Sequence, residues 1–516
     1  MFRASNFCLL FLIVVSWAFG GGFSWGPWLV GSGGLLCLGW AFVEALRDRG
    51  ISRNLWSWRI APWLIWIVLI GISIVNQSHA PKDSKLGKFT TPQGAGSYDT
   101  LGNVNPAVPV DHIEWLPASS DAHRTTMYLF STVGIMAFSL ALAIAPSTRS
   151  EIRRWLKFLF ANAMLLTLVG FYFFSEKELI FGMYLAEGGI PFASFHYKNS
   201  WAAYAILSVG IGLGLADYYW RSGHQLLGAR SLTLAFLVSI PIVLSSFALL
   251  ESRSGLLLTI LLVIWTAFDH CCRGRRFGGL QGKRLLISSV ASILILGWWG
   301  WKMTEPQLEN IYKKSAVQID QVEADQPTGR MILIRDTIEM AKAKPWFGWG
   351  LATFSQVYPV FQGPELYKRV DFPGGEEFAW VPEYYEFAHY DWVQYWAETG
   401  MIGLVLLLAT PIAWVIHFWH RGRSNPLSYW LGVGCVLILL LATFEFPSGC
   451  EAVSLLFAAC LSLSGKYALC SPRKRSSHRH QRDDQQECCP SSNLKPDTAC
   501  HLAAKATQEA QSLAIS

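Results

Sequence analysis

The sequence predicts an all-α polytopic membrane protein of about 12 transmembrane helices, with a large, partly helical outer loop before the tenth. Three observations predict it. The 516 residues are 52% hydrophobic and only 15% charged, with 24 tryptophans, where a soluble chain carries about a quarter charged residues. The apolar residues gather in uninterrupted runs, many near the roughly 20 residues that cross a bilayer. Basic residues then alternate strictly between loops, the signature of orientation in a membrane.

The runs lie near 6–20, 28–46, 60–75, 126–145, 156–174, 200–216, 231–250, 255–268, 285–301, 392–419, 427–443 and 452–465. The eighth is the shortest and needs residues from its flanks to span. Arg47, Arg49 and Arg53 follow the second run, Arg149, Arg153 and Arg154 the fourth, and Arg273, Arg275, Arg276, Lys283 and Arg284 the eighth. Arg421 and Arg423 follow the tenth, and Arg473, Lys474 and Arg475 the last. All follow even-numbered runs, so both termini are expected on the cytoplasmic side. Arg3, the apolar run from Phe7 and the small residues around Ala18 and Gly20 also fit a cleaved signal peptide. Cleavage would leave the other orientations unchanged.

Two outer loops are long. The first, about 76–123, is rich in Gly, Pro, Ser and Asn and reads as irregular surface. The second, about 302–391, carries one candidate helix at 305–323 and another from Thr328 to Lys344. In the latter, Met331, Ile334, Ile338 and Ala341 recur as one apolar stripe. Pro345 ends it and opens the turn Pro345-Trp346-Phe347-Gly348-Trp349-Gly350. A loop this long with its own helices exceeds a connector. From 466 to 516 the chain turns charged and polar and reads as a disordered cytoplasmic tail, with His478 and His480 solvated in it.

Charge and cysteine usage exclude several classes. The net charge of +6 is accounted for by the basic loops and tail. No basic stripe interleaved with aromatics asks for nucleic acid. Of 11 cysteines only Cys450 falls in an outer turn, so no disulfide framework is implied. Cys271–Cys272 and Cys488–Cys489 are adjacent pairs, not the CxxC spacing of a zinc site. No Asp-x-Asp pair or acidic cluster on the outer face suggests a divalent metal, and no cofactor is expected.

The most informative stretch is Ala388 to Gly403, AHYDWVQYWAETGMIG. Here a histidine stands at the lip of an apolar run. Asp391, Gln394 and Glu398 then form a polar stripe at helical spacing. Hydrocarbon does not tolerate that stripe unless it faces protein or water, so the helix should leave a polar chamber. Two arginines join the histidine as candidates. Arg253 sits in ESRSG, a turn so tight that it must lie at membrane depth, where a charge calls for a partner or ligand. The alternative is an arginine snorkelling to headgroups. Arg330 shares a helical face with Ile334, which turns it toward the loop's interior, while Arg335 projects elsewhere into solvent. Arg330 also reads as an ordinary surface charge, and His389 as a satisfied interfacial histidine.

Together, two guanidinium groups and an imidazole on one side of a membrane suggest a chemistry. Guanidinium binds phosphate oxygens bidentately and stays charged. A neutral imidazole accepts the proton of an attacking hydroxyl. A lipid-linked pyrophosphate as leaving group would use these parts, with arginines in place of a metal.

Four motifs resemble the O-antigen ligase/polymerase family of bacterial membrane glycosyltransferases, over roughly 195–410. SFHYKNSWAAYAIL (194–207) is similar to its Asn-containing helix start, with Asn199 at the asparagine, and ESRSGLLLTI (251–260) to its Ser-Arg-Ser/Ala-Gly turn. GRMILIRDTIEMAKAKPWFGWGLATF (329–354) resembles its arginine helix and following Pro-x-x-Gly-x-Gly turn. The stretch from Ala388 resembles its His-Asn-x-x-Leu-x-x-x-x-Glu-Thr-Gly signature. The resemblance implies that Arg253 and Arg330 engage a polyprenyl-pyrophosphate-linked glycan and that His389 activates a lipid or glycan acceptor. Asn199, Asp391 and Glu398 would line the substrate site. It further implies metal-independent, inverting transfer in a bacterial inner membrane, the site facing the periplasm. The chain then divides into N-terminal helices (1–194), a ligase-related core (195–419), C-terminal helices (420–465) and the tail (466–516). Tyr390 stands where the family favours asparagine, and Ile334 where it favours Leu or Trp, which bears on the acceptor. Ligase, polymerase and protein O-oligosaccharyltransferase share these motifs. A multi-span transporter and a non-catalytic polysaccharide-export component are the rival readings; no internal repeat favours the first, and the second has no need of three cations.

Overall fold

The computed structural model describes residues 3–18, 25–47, 60–78, 113–145, 147–176, 191–222, 229–274, 329–371, 378–422 and 425–469. Helices form wherever the apolar runs stood among these residues. They are α1 (Ala4–Trp17), α2 (Gly26–Arg47), α3 (Ala61–Val75), α4 (Ala122–Ile144), α5 (Arg149–Glu176), α6 (Lys198–Ser222), α7 (Ala229–Leu249) and α8 (Arg253–Gly274). The outer loop contributes α9 (Gly329–Ala343) and α10 (Phe354–Phe361), and α11 (Asp391–Gly422), α12 (Pro426–Leu441) and α13 (Glu451–Leu469) follow. Among the described residues 6 helices are long and apolar enough to cross a membrane, namely α2, α4, α5, α6, α7 and α11. Three shorter apolar helices, α1, α3 and α12, stand at the expected first, third and eleventh spans. The expected ninth span (285–301), the candidate helix at 305–323 and the tail beyond 469 lie outside the described residues.

Small residues set the close approaches, as they must where lipid gives no hydrophobic drive between helices. A Cβ on Gly34 of α2 would lie 1.9 Å from the carbonyl oxygen of Gly134 in α4. Helix α6 is the axis of the bundle, with 94% of its apolar stretch buried. Trp201 and Tyr204 on it are wholly enclosed. Tyr204 accepts from Asn162 of α5 (3.1 Å), which also accepts from Trp17 of α1 (2.8 Å). The first turn of this most enclosed helix carries Asn199, so whatever Asn199 touches is held by the whole core.

Two expectations are corrected in the outer loop. The all-α reading missed a hairpin, in which Tyr367–Asp371 (β1) pairs antiparallel with Phe378–Pro382 (β2), Arg369 opposite Trp380. The signal was there: two short runs rich in aromatic and β-branched residues flank Pro373-Gly374-Gly375. Helix α9 begins and ends within a residue of expectation, but its buried face is rotated, and of the expected stripe only Ala341 is fully buried. Ile332, Leu333, Asp336, Thr337, Met340 and Ala341 are buried, whereas Met331 is 47% exposed. Apolar periodicity misjudged the face because two of its core positions are polar and satisfied. Asp336 accepts from the Gly363 amide (2.8 Å) and Thr337 donates to Leu333 O (2.6 Å). Arg335 is half-exposed as expected, yet it is paired, with Asp336 at 3.0 Å and Glu365 at 3.4 Å.

Candidate active site

Helix α11 is broken at Gly400 (φ 70, ψ 175), a conformation open almost only to glycine. The break frees backbone groups in the middle of a span, and the Pro345–Gly350 turn takes them up. Trp349 N donates to Ala397 O (3.0 Å) and Gly350 N to Glu398 O (2.8 Å), while Met401 N donates to Pro345 O (2.8 Å). The Glu398 carboxylate completes the clasp, accepting from Ala352 N (2.8 Å), Phe354 N (3.4 Å) and Gln394 Nε2 (3.0 Å). Gln394 in turn accepts from Ala388 N at 2.9 Å, one residue before His389. The polar stripe therefore faces protein, and it fastens the outer loop to the span. A Cβ on Gly400 would lie 2.0 Å from Trp346 O. Gly400→Ala should cost roughly 2–4 kcal/mol from overpacking and backbone strain. Thermal unfolding in detergent checks this against Gly39→Ala, whose Cβ meets nothing within 4 Å; equal midpoints would dismiss the clasp.

Asp391 opens α11 and binds it to the turn after α12. Its carboxylate accepts from Ser448 N (3.1 Å) and Ser448 Oγ (2.7 Å), and its amide donates to Ala442 O (3.1 Å). That turn carries Glu445, 3% exposed, on which side chains from α6, α9 and the approach to α11 converge. Glu445 Oε1 accepts from Asn199 Nδ2 (2.7 Å) and meets Arg330 Nη1 at 3.2 Å. Glu445 Oε2 lies 3.9 Å from His389 Nδ1, and both atoms are buried without a hydrogen-bond partner. His389 itself has φ 58, a left-handed backbone that histidine tolerates better than most residues.

Rings wall the histidine in. His389 meets Phe446 edge-on at 4.7 Å, and Tyr197 and Phe387 stack on the same Phe446 at 5.1 and 4.7 Å. Burial first, then the Glu445 charge, push the Tyr197 phenol up to about 12, so it remains a neutral donor. Burial works against the charge on Arg330, but Glu445 and Tyr197 outweigh it and raise its pKa.

Of the six residues singled out by sequence, Arg330, His389 and Asn199 meet at one carboxylate. Arg253 begins α8 one residue after Ser252, whose hydroxyl donates to Asn199 Oδ1 (2.8 Å); its own side chain is exposed. Glu251 before it has φ 50, the strained corner that brings this turn against α6. Asp391 and Glu398 are enclosed, 4% and 2% exposed, and spend their oxygens on the protein. Glu445 is the residue sequence reasoning missed. Its signal was an acid in FEFPSG (444–449), just beyond an apolar run, with no partner nearby in sequence.

A comparison with curated proteins finds no match. A family model described as O-Antigen ligase matches residues 234–408. The matched region takes in Arg253, Arg330, His389, Asp391 and Glu398, and leaves Asn199 and Glu445 on either side of it. That match, set among apolar membrane-length helices, makes residues 234–408 similar to the O-antigen ligase family and supports an O-antigen ligase-like membrane enzyme.

Proposed function

We propose that the protein transfers or polymerises an oligosaccharide from a polyprenyl-pyrophosphate donor onto an acceptor hydroxyl, at the periplasmic face of a bacterial inner membrane. The single observation that carries this is the Glu445 carboxylate with Arg330 on one oxygen and His389 facing the other. Glu445 turns Nδ1 of His389 inward, which leaves Nε2 for the acceptor. The acceptor oxygen attacks the anomeric carbon as its proton passes to Nε2. The bond from that carbon to the pyrophosphate oxygen breaks, and the lipid pyrophosphate leaves with the electron pair. Arg330 and Arg253 neutralise the charge that gathers on it, without a metal. Direct displacement inverts the anomeric configuration. Asn199 and Asp391 act by holding Glu445 and its turn, and Glu398 by holding the loop that bears Arg330.

Turnover of a labelled lipid-linked glycan by the purified protein tests the reading. Release of lipid pyrophosphate together with glycosylated acceptor is expected; transport of the intact donor without bond cleavage would overturn it. Orientation has its own test. Single cysteines at His123 and Glu339, both exposed, should react with an impermeant thiol reagent in intact spheroplasts. Labelling only after lysis would reverse the assignment.

A further inference from the structure

The end of the bundle remote from His389 carries a second, unrelated grouping of charge. Arg149, Arg153 and Lys157 repeat every four residues along one face of the first turns of α5. Like charges at this spacing repel, so an anion between them would be stabilising. Arg153 donates to the Tyr467 hydroxyl (3.1 Å) and lies 4.8 Å over the Tyr218 ring, while Arg149 lies 5.7 Å over the Tyr467 ring. Lys466 adds a further positive charge, its ammonium capping α4 at Leu142 O (2.9 Å) and Ala145 O.

Two of the described carboxylates at this end are turned elsewhere. Glu151 pairs with Arg3 (2.9 Å) and caps α5 at Thr148 N (2.8 Å), and Asp217 pairs with Arg221 (2.7 Å). Among the described residues no ion pair engages Arg153 or Lys157. At the foot of the stripe, in the turn between α4 and α5, the Ser147 hydroxyl is buried without a hydrogen-bond partner. Two tyrosines thus hold a guanidinium fork in place, with an unspent donor nearby and, among the described residues, no carboxylate paired with it.

We propose that this stripe binds the phosphodiester headgroup of an anionic phospholipid. Arg153 offers the planar fork that phosphate oxygens accept bidentately. Arg149 and Lys157 flank it along about 12 Å of helix, at 1.5 Å per residue, a depth that headgroups and snorkelling side chains share. The location favours a lipid over a soluble phosphate. Helix α5 is a membrane span, the stripe lies at its start, and Tyr218 and Tyr219 stand beside it as interfacial aromatics do.

The test uses the full chain, purified into nanodiscs of phosphatidylcholine with or without phosphatidylglycerol, and native mass spectrometry to count retained lipid. Wild type should retain phosphatidylglycerol preferentially. Arg153→Gln and Lys157→Gln should each lower that retention about fivefold, the worth of one basic contact near a bilayer surface. Arg154→Gln, exposed on a different face of α5, should leave it unchanged. Lys157→Gln keeps the test sound if Arg153→Gln fails to fold, since Lys157 makes no ion pair or hydrogen bond in the described structure. Retention by Lys157→Gln equal to wild type would overturn the site. Displacement of the lipid by an equal concentration of inorganic phosphate would overturn its assignment to a lipid.

Discussion

His389→Ala should lose between about 100- and 10,000-fold in glycan transfer at saturating donor, the usual contribution of a general base. The loss should fall on turnover with little change in donor KM, because the imidazole meets the acceptor and not the lipid. Glu445→Gln separates positioning from base catalysis. It keeps an acceptor for Asn199, now 2.7 Å away, but removes the charge that faces His389 Nδ1 at 3.9 Å. Its turnover should fall with folding intact. If His389→Ala keeps both rate and pH profile while Glu445→Gln or Asp391→Asn loses them, the carboxylate is the base. A product that retains the donor's anomeric configuration would discard direct displacement.

Arg330→Lys should lower turnover on the order of 100-fold, as the loss of one electrostatic contact to a developing anion does. The substitution keeps the charge and loses the fork. Arg330 needs that fork here, because Nη1 is already committed to Glu445 at 3.2 Å while the side chain stays 43% exposed. A lysine could neutralise Glu445 or meet the pyrophosphate, not both with the same geometry. Full activity of Arg330→Lys at normal expression would remove Arg330 from the leaving-group site. Loss of both activity and thermal stability, matched by Glu445→Gln, would make the pair a structural one.

The six membrane-length helices among the described residues were legible because bilayer thickness and backbone satisfaction leave a helix few alternatives. Helix α9 was legible in its limits, since Pro345 removes a donor and stops it at Ala343. Its buried face was not, because Asp336 and Thr337 occupy core positions that periodicity reserves for apolar residues. The hairpin of Tyr367–Asp371 and Phe378–Pro382 was hidden by its shortness.

The candidate site divides in the same way. By itself the sequence determined the residue types and their order: a histidine at the lip of an apolar run, two arginines, an asparagine opening a helix, and a polar stripe that had to face protein or water. These follow from local rules, the cost of charge in hydrocarbon and the spacing of a helix, and need no knowledge of distant contacts. Only the tertiary structure decided which of them meet. Glu445 lies 246 residues from Asn199 along the chain, and no periodicity links residues so far apart. It gathers Asn199, Arg330 and His389 because a buried carboxylate must find donors wherever the packing of α6, the outer loop and the α12–α13 turn provides them.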